Sequence, residues 1–133
     1  MSKTSIFDSD SMAILYYPDK KILVQETLKF TTTEERRKAL EAGLKMIEQD
    51  RVTKWLTNNK SGSAIPQEDI DWGINEWFPR AIKAGLQYWA VILPEKAVGK
   101  LSGKKMLDGA AQHGVSIKTF QTEEAALQWL EGL

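Results

Sequence analysis

The chain has 133 residues, 42% apolar and 27% charged, with 18 lysines and arginines balancing 18 aspartates and glutamates. That length supports one domain with a true core rather than two, and a formal charge of zero exerts no long-range pull on nucleic acid or an anionic membrane. Cysteine is absent and histidine occurs once, which excludes disulfides, thiolate metal sites and cysteine nucleophiles and suits a reducing cytoplasm. Residues 1–11 hold no apolar core of signal-peptide length and no apolar span reaches transmembrane length, so the expectation is a soluble, cytoplasmic protein with no membrane insertion.

Residues 1–11 are polar and read as a flexible lead, with a single domain over 12–133. Residues 12–17 and 21–29 read as strands joined by the turn Pro18-Asp19-Lys20, hence an antiparallel hairpin. In the second strand Ile22, Val24 and Leu28 share a face, and Leu23, Gln25 and Thr27 make a wetter opposite face. A helix starts at residues 31–35, where Thr31 with Glu34 or Thr32 with Glu35 offers a capping box. Its stripe is Leu40, Leu44, Met46 and Ile47, with Gly43 inside it. A glycine there costs about 1 kcal/mol relative to alanine, and close contact with a sheet accounts for it. Residues 52–57 form the next strand and 58–66 a polar loop.

A second helix opens at Gln67 and must bend or break near Pro79, which cannot donate to the preceding turn. Ile70, Ile74, Trp77, Phe78 and Ala81 share one side of it, while Trp72 falls on the other. Gly85 ends the helix. The run from Leu86 to Pro94 is short, β-branched and aromatic, and so reads as a strand. Tyr88, Ala90 and Ile92 point one way and Trp89, Val91 and Leu93 the other, so both faces of that strand are covered. A helix over 95–113, interrupted by Gly99, Gly103 and Gly109, is expected to be short or broken, with Gly114 as its cap. Residues 115–120 are the last strand. Thr122 then caps a helix that buries Ala126, Leu127, Trp129 and Leu130. The order β-β-α-β-α-β-α-β-α implies an α/β fold with a mixed, mostly parallel five-stranded sheet and right-handed crossovers.

That element order, the Trp72…Trp77-Phe78-Pro79 segment, Ala84-Gly85-Leu86 leading into an aromatic strand, and the closing Phe120…Glu123-Glu124-Ala125…Trp129-Leu130 together resemble the SpoIIAA-like superfamily. That group includes STAS domains, small bacterial STAS/SEC14-type proteins and, more distantly, the CRAL-TRIO lipid-transfer fold. The resemblance covers residues 12–131 and implies a non-enzymatic regulatory or binding module. Anti-anti-sigma STAS proteins carry a phosphorylatable serine or threonine in an Asp-Ser-Ser-Gly-like turn after the third strand. Here the matching place holds Asn58-Asn59-Lys60-Ser61-Gly62-Ser63, longer and without the aspartate. Ser61 and Ser63 are the candidate phosphorylation sites of an incomplete motif.

The same loop lies at the carboxyl end of a strand, where open α/β sheets place ligands. Asn58, Asn59, Ser61 and Ser63 offer amides and hydroxyls to a small polar ligand or a partner, although Glu68 and Asp69 already occupy the positive end of the next helix. A plain solvated connection has the same composition. Trp72, off the core stripe, fits an interface or a ligand mouth, or packing on the neighbouring loop. Lys96, Lys100, Lys104 and Lys105 with Gly99 and Gly103 nearly spell a phosphate loop. The glycine interval is a residue short, however, and Lys105 stands where Ser or Thr must bind magnesium, which leaves a solvated lysine face. His113 complements the end of a helix dipole and has no companion for a transition metal. No Gly-x-Ser-x-Gly turn is present, and Asp69 and Asp71 point to different helix faces.

The reading is therefore a protein without enzymatic activity, cofactor or metal, binding a protein partner or small ligand through Asn58, Asn59, Ser61, Ser63 and Trp72. The wetter hairpin face and Trp72 are the expected surface of a homodimer. The alternative is a lipid or apolar small-molecule carrier of CRAL-TRIO-like type, which requires a sizeable apolar cavity.

Overall fold

Six strands form one sheet whose spatial order is the order of the sequence: β1 (Thr4–Asp8), β2 (Met12–Tyr17), β3 (Ile22–Thr27), β4 (Lys54–Asn58), β5 (Tyr88–Ile92) and β6 (Ser116–Phe120). The computed structural model describes residues 2–62, 64–95 and 97–133. Pairing is antiparallel from β1 to β3 and parallel from β3 to β6. The crossovers are α1 (Thr33–Asp50); α2 (Gln67–Trp72), which runs through a π-helical turn (Gly73–Trp77) into α3 (Phe78–Ala84); and α4 (Ala97–Ala111). α5 (Glu123–Glu131) follows the last strand. Three crossovers advancing in one direction place their helices on the same face. Leu40, Leu44, Trp77, Phe78 and Met106 of these helices accordingly pack on Leu23, Trp55 and Trp89. α5 covers the other face with Ala126 and Leu130 against Val24, Leu56 and Ala90. Among the described residues no helix is long and apolar enough to cross a membrane.

β5 has the two covered faces its sequence implies, Trp89 and Val91 in one core and Ala90 and Ile92 in the other. Three other expectations need correction. The sheet has six strands, not five, because Thr4–Asp8, read from the sequence as part of a flexible lead, pairs with β2. The register passes from Ser5 opposite Leu15 to Phe7 opposite Ile14, so Ile6 is the extra residue of a bulge. Ile6 and Phe7 then both pack against the same core, and a bulge erases the period-two pattern that marks a strand.

The second correction concerns the hairpin. Gln25 and Thr27 are each only 5% exposed, so the face expected to be wet lies under the helices, and Leu28 is half exposed instead. Thr57 explains how Gln25 is tolerated there. Its Oγ1 accepts from Trp89 Nε1 at 2.8 Å and from Trp55 Nε1 at 3.1 Å, and donates to Gln25 Oε1 at 3.1 Å. Pairing of this kind offsets the cost of burying a polar group.

Third, α4 is continuous. The positions of Gly103 and Gly109 let it approach neighbours where a Cβ would crowd Leu93 and overlap Ile74 respectively. The bend expected at Pro79 is resolved as the π turn just ahead of it. The backbone stays right-handed helical from α2 into α3.

α1 begins at Thr32, whose side chain accepts from Glu35 N at 3.2 Å. Glu35 does not complete the capping box; its carboxylate accepts from Ser9 and Ser11, tying the helix start to the β1–β2 turn. At the other end Tyr16 donates to Asp50 Oδ2 at 2.8 Å. Burial first, then that hydrogen bond and the Asp50 charge, push the Tyr16 phenol up to about 12. A raised folded-state value means a stabilisation fully present below the unfolded value of about 10. It is lost as pH climbs through about 12. Urea denaturation of wild type and Tyr16→Phe should therefore show a stability difference that is constant at pH 7–9 and shrinks between pH 10 and 12. A difference independent of pH over that window would remove the Tyr16–Asp50 bond from the account.

Candidate functional site at the carboxyl edge of the sheet

The parallel strands finish together. Glu26, Asn58, Ile92 and Phe120 form one row across β3 to β6, and the loops leading to the next helices fan out from it. Between those loops lies a cleft of about 740 Å³ lined by Lys60, Leu93-Pro94-Glu95, Lys100 and Thr119-Phe120-Gln121-Thr122, with Ile92 at its floor. Such a volume is in the range of small-molecule sites. Lys60 Nζ stands 3.8 Å from Glu95 Oε1, and both side chains are largely exposed, so the pair is a weak, solvent-screened one. Lys118 Nζ lies 5.6 Å over the Phe120 ring. Thr122 is fixed as the cap of α5, its hydroxyl accepting from Ala125 N at 3.2 Å.

The cleft thus combines two ammonium groups with one carboxylate, hydroxyls and an amide, and a phenyl ring beside aliphatic side chains. This is recognition chemistry: cations and hydroxyls for an anionic group, and a flat apolar surface for what it is attached to.

The loop after β4 divides its side chains between surface and interior. Asn58 Oδ1 accepts from Lys60 N at 3.1 Å and is used up in the turn. Asn59 N donates to Ile92 O at 2.9 Å, and Asn59 O accepts from Gly62 N at 2.8 Å. These bonds turn the Asn59 side chain inward, where it is buried, and leave Ser61 exposed. Ser63 lies outside the described residues. Trp72 is half-buried against the helix-covered core, with the Arg37 guanidinium carbon 5.2 Å over its ring. The structure therefore does not gather Asn58, Asn59, Ser61 and Trp72 into one site. It is Lys60, the cation between them, that reaches the cleft.

The remaining lining comes from elements that look structural or solvated in the sequence. Lys100 sits on the lysine face of α4, where Lys104 and Lys105 are also exposed, and Lys96 lies outside the described residues. Thr122 reads as a helix cap, and Gln121 directly precedes it. The legible signal was their position just beyond a strand, next to another strand end.

His113 is exposed, and its backbone N–H donates to Ala110 O beside the positive-φ Gly114. Asp71 is exposed and accepts from Gln67 Nε2 at 2.9 Å, whereas Asp69 is buried. The two acids part as their spacing requires. Among the described residues no three histidines, aspartates or glutamates converge as metal ligands. Comparison with known proteins finds no match for this chain among family models, curated proteins or solved structures.

Proposed function

We propose that the chain is a cytoplasmic, non-enzymatic binding module of SpoIIAA-like type that receives a small anionic molecule with an apolar ring or chain. The observation that carries this reading is the cleft at the carboxyl edge, where Lys60 and Lys100 outnumber Glu95 and Phe120 lies beside Thr119 and Thr122. Lys60 and Glu95, the oppositely charged pair within it, are 3.8 Å apart and largely exposed, a contact weak enough for Lys60 to turn to an anionic ligand. The exposure of Ser61 next to Lys60 supports adding to this proposal an anti-sigma-type phosphorylation switch at the same rim.

Phenyl phosphate tests the reading, since it joins the two chemistries the cleft offers. Titrated into the ¹⁵N-labelled chain, it should produce saturable shifts at the amides of Lys60, Lys100 and Gln121. In the Lys60→Ala/Lys100→Ala double variant binding should weaken about tenfold, equivalent to about 1.4 kcal/mol. Shifts that fail to saturate, or that cluster away from these residues, would discard the cleft as the site.

A second reading, a protein partner, is favoured by Leu28 and Phe30, half exposed where β3 leaves the same edge, and by Leu101, two-thirds exposed early in α4. The carrier reading has less behind it. The cavity beneath the helices is about 40 Å³ and has Arg36 and Asn59 in its wall, against the several hundred Å³ expected of a small-molecule site.

A further inference from the structure

The cleft at the carboxyl edge lies where two neighbouring connections part. After β5 the chain turns into α4, whose Met106 and Ala110 pack in one core with Trp89. After β6 it turns into α5, whose Ala126 and Leu130 pack on the opposite face with Leu56 and Ala90. β5 and β6 are adjacent and parallel, so their connections leave the edge in opposite directions and a crevice opens between them. Crevices of that kind are where open α/β sheets hold ligands. Residues 92–95 line one side and residues 119–122 the other, joined by Lys60 from the loop after β4 and Lys100 from α4.

Among the described lining residues the charged ones are Lys60, Lys100 and Glu95. Lys60 Nζ and Glu95 Oε1 stand 3.8 Å apart, and each side chain is more than half exposed. A pair held so loosely contributes little stability of its own, so a ligand can enter between its members. A simple anion that takes Lys60 away from Glu95 is left facing a carboxylate, and the ion pair lost offsets the one gained. A molecule with an ammonium beside its carboxylate avoids this. Its carboxylate pairs with Lys60 and its ammonium with Glu95, so one pair within the protein is exchanged for two with the ligand, and no like charges meet.

The closeness of Nζ and Oε1 requires their two counter-charges to be close neighbours as well, which is how an α-amino group and an α-carboxylate stand on one carbon. Lys100 leaves the cleft with one cation in excess, and Ile92, Leu93, Pro94 and Phe120 offer apolar surface to the rest of the molecule. We infer that the ligand of the cleft is a free α-amino acid with a large apolar side chain. Glu95 holds its α-ammonium, Lys60 its α-carboxylate, and Phe120 with Leu93 and Pro94 its side chain. This rests on the reading of the cleft as a site for an anionic group borne by an apolar body, and it adds the amine that Glu95 selects.

Titrations of the ¹⁵N-labelled full chain, followed at the amides of Lys60, Lys100 and Gln121, remove the ligand's charges one at a time. L-Phenylalanine should bind about fivefold more tightly than hydrocinnamate, which lacks the ammonium, or phenethylamine, which lacks the carboxylate. Glu95→Gln, an exposed exchange that leaves the core untouched, should move two ligands in opposite directions. L-Phenylalanine becomes about fivefold weaker and phenyl phosphate about threefold tighter, whereas a site for anions alone would tighten both. Equal affinities for L-phenylalanine and hydrocinnamate, or a shift of both ligands in the same direction in Glu95→Gln, would overturn the inference while phenyl phosphate still binds the cleft. If neither phenyl phosphate nor L-phenylalanine saturates these amides, the reading of the cleft itself falls, and the inference with it.

Discussion

Replacing Gly43 by alanine should destabilise the protein by about 2 kcal/mol, although the same exchange in an exposed helix stabilises by about 1 kcal/mol. The sign reverses because of what faces Gly43. A Cβ built there overlaps the Cη2 and Cζ3 atoms of Trp55. That indole has nowhere to go: Trp55 is 1% exposed, bonded through Nε1 to Thr57 and Gln25, and set edge-on to Trp77. Overpacking a closed core costs about 1–3 kcal/mol or more, which outweighs the gain in helix propensity. Gly109→Ala is the internal contrast. Its Cβ would overlap Cδ1 and crowd Cγ1 and Cγ2 of Ile74, a side chain stiff at χ1 but half-buried rather than enclosed, so the expected cost is smaller, about 1 kcal/mol. Urea denaturation at neutral pH separates the two, and a Gly43→Ala variant as stable as wild type would mean that Trp55 is not held where α1 meets the sheet.

Thr57→Val should cost more, about 3 kcal/mol. Valine keeps the shape and removes the hydroxyl on which two indoles converge. Trp89 Nε1 loses the oxygen it bonds at 2.8 Å, while Trp55 keeps only its longer, 3.3 Å contact with Gln25 Oε1. A buried donor left unpaired costs about 1–3 kcal/mol, and here one is stranded and a second weakened. Thr57→Ser retains the hydroxyl and deletes one methyl, for about 1 kcal/mol. The order wild type, serine, valine in denaturation midpoint identifies the hydrogen bonds as the cause. If serine and valine were equally destabilising, packing of the methyl group would be responsible instead.

What the sequence discloses about this fold is what neighbouring residues decide together. Two apolar faces on Tyr88–Ile92, a threonine at the start of α1 and another at the start of α5, and a glycine on the buried stripe of α1 all read correctly, because strand period, cap and close approach are local signals. What stayed hidden depends on partners far along the chain. Gln25 looks like a surface residue until Trp55 and Thr57, about thirty positions later, arrive to bond it. The glycines of α4 look like helix breakers until Leu93 and Ile74 fill the space beside them. β1 was concealed by its own bulge. For the site, the loop after β4 pointed to the edge of the sheet where the cleft lies, but its asparagines were spent on the backbone or turned inward. The cleft is assembled from three separate strand ends, and no single stretch of sequence contains it.

A sheet laid down strand by strand in chain order has a kinetic consequence. Each strand meets only the strands just before and after it in the chain, so every pairing closes a loop no longer than one helical crossover. Chain closure is then met in small instalments rather than in one long-range step. The mean sequence separation of contacts stays low for a mixed sheet, the topology associated with rapid assembly and brief exposure of unfinished edges.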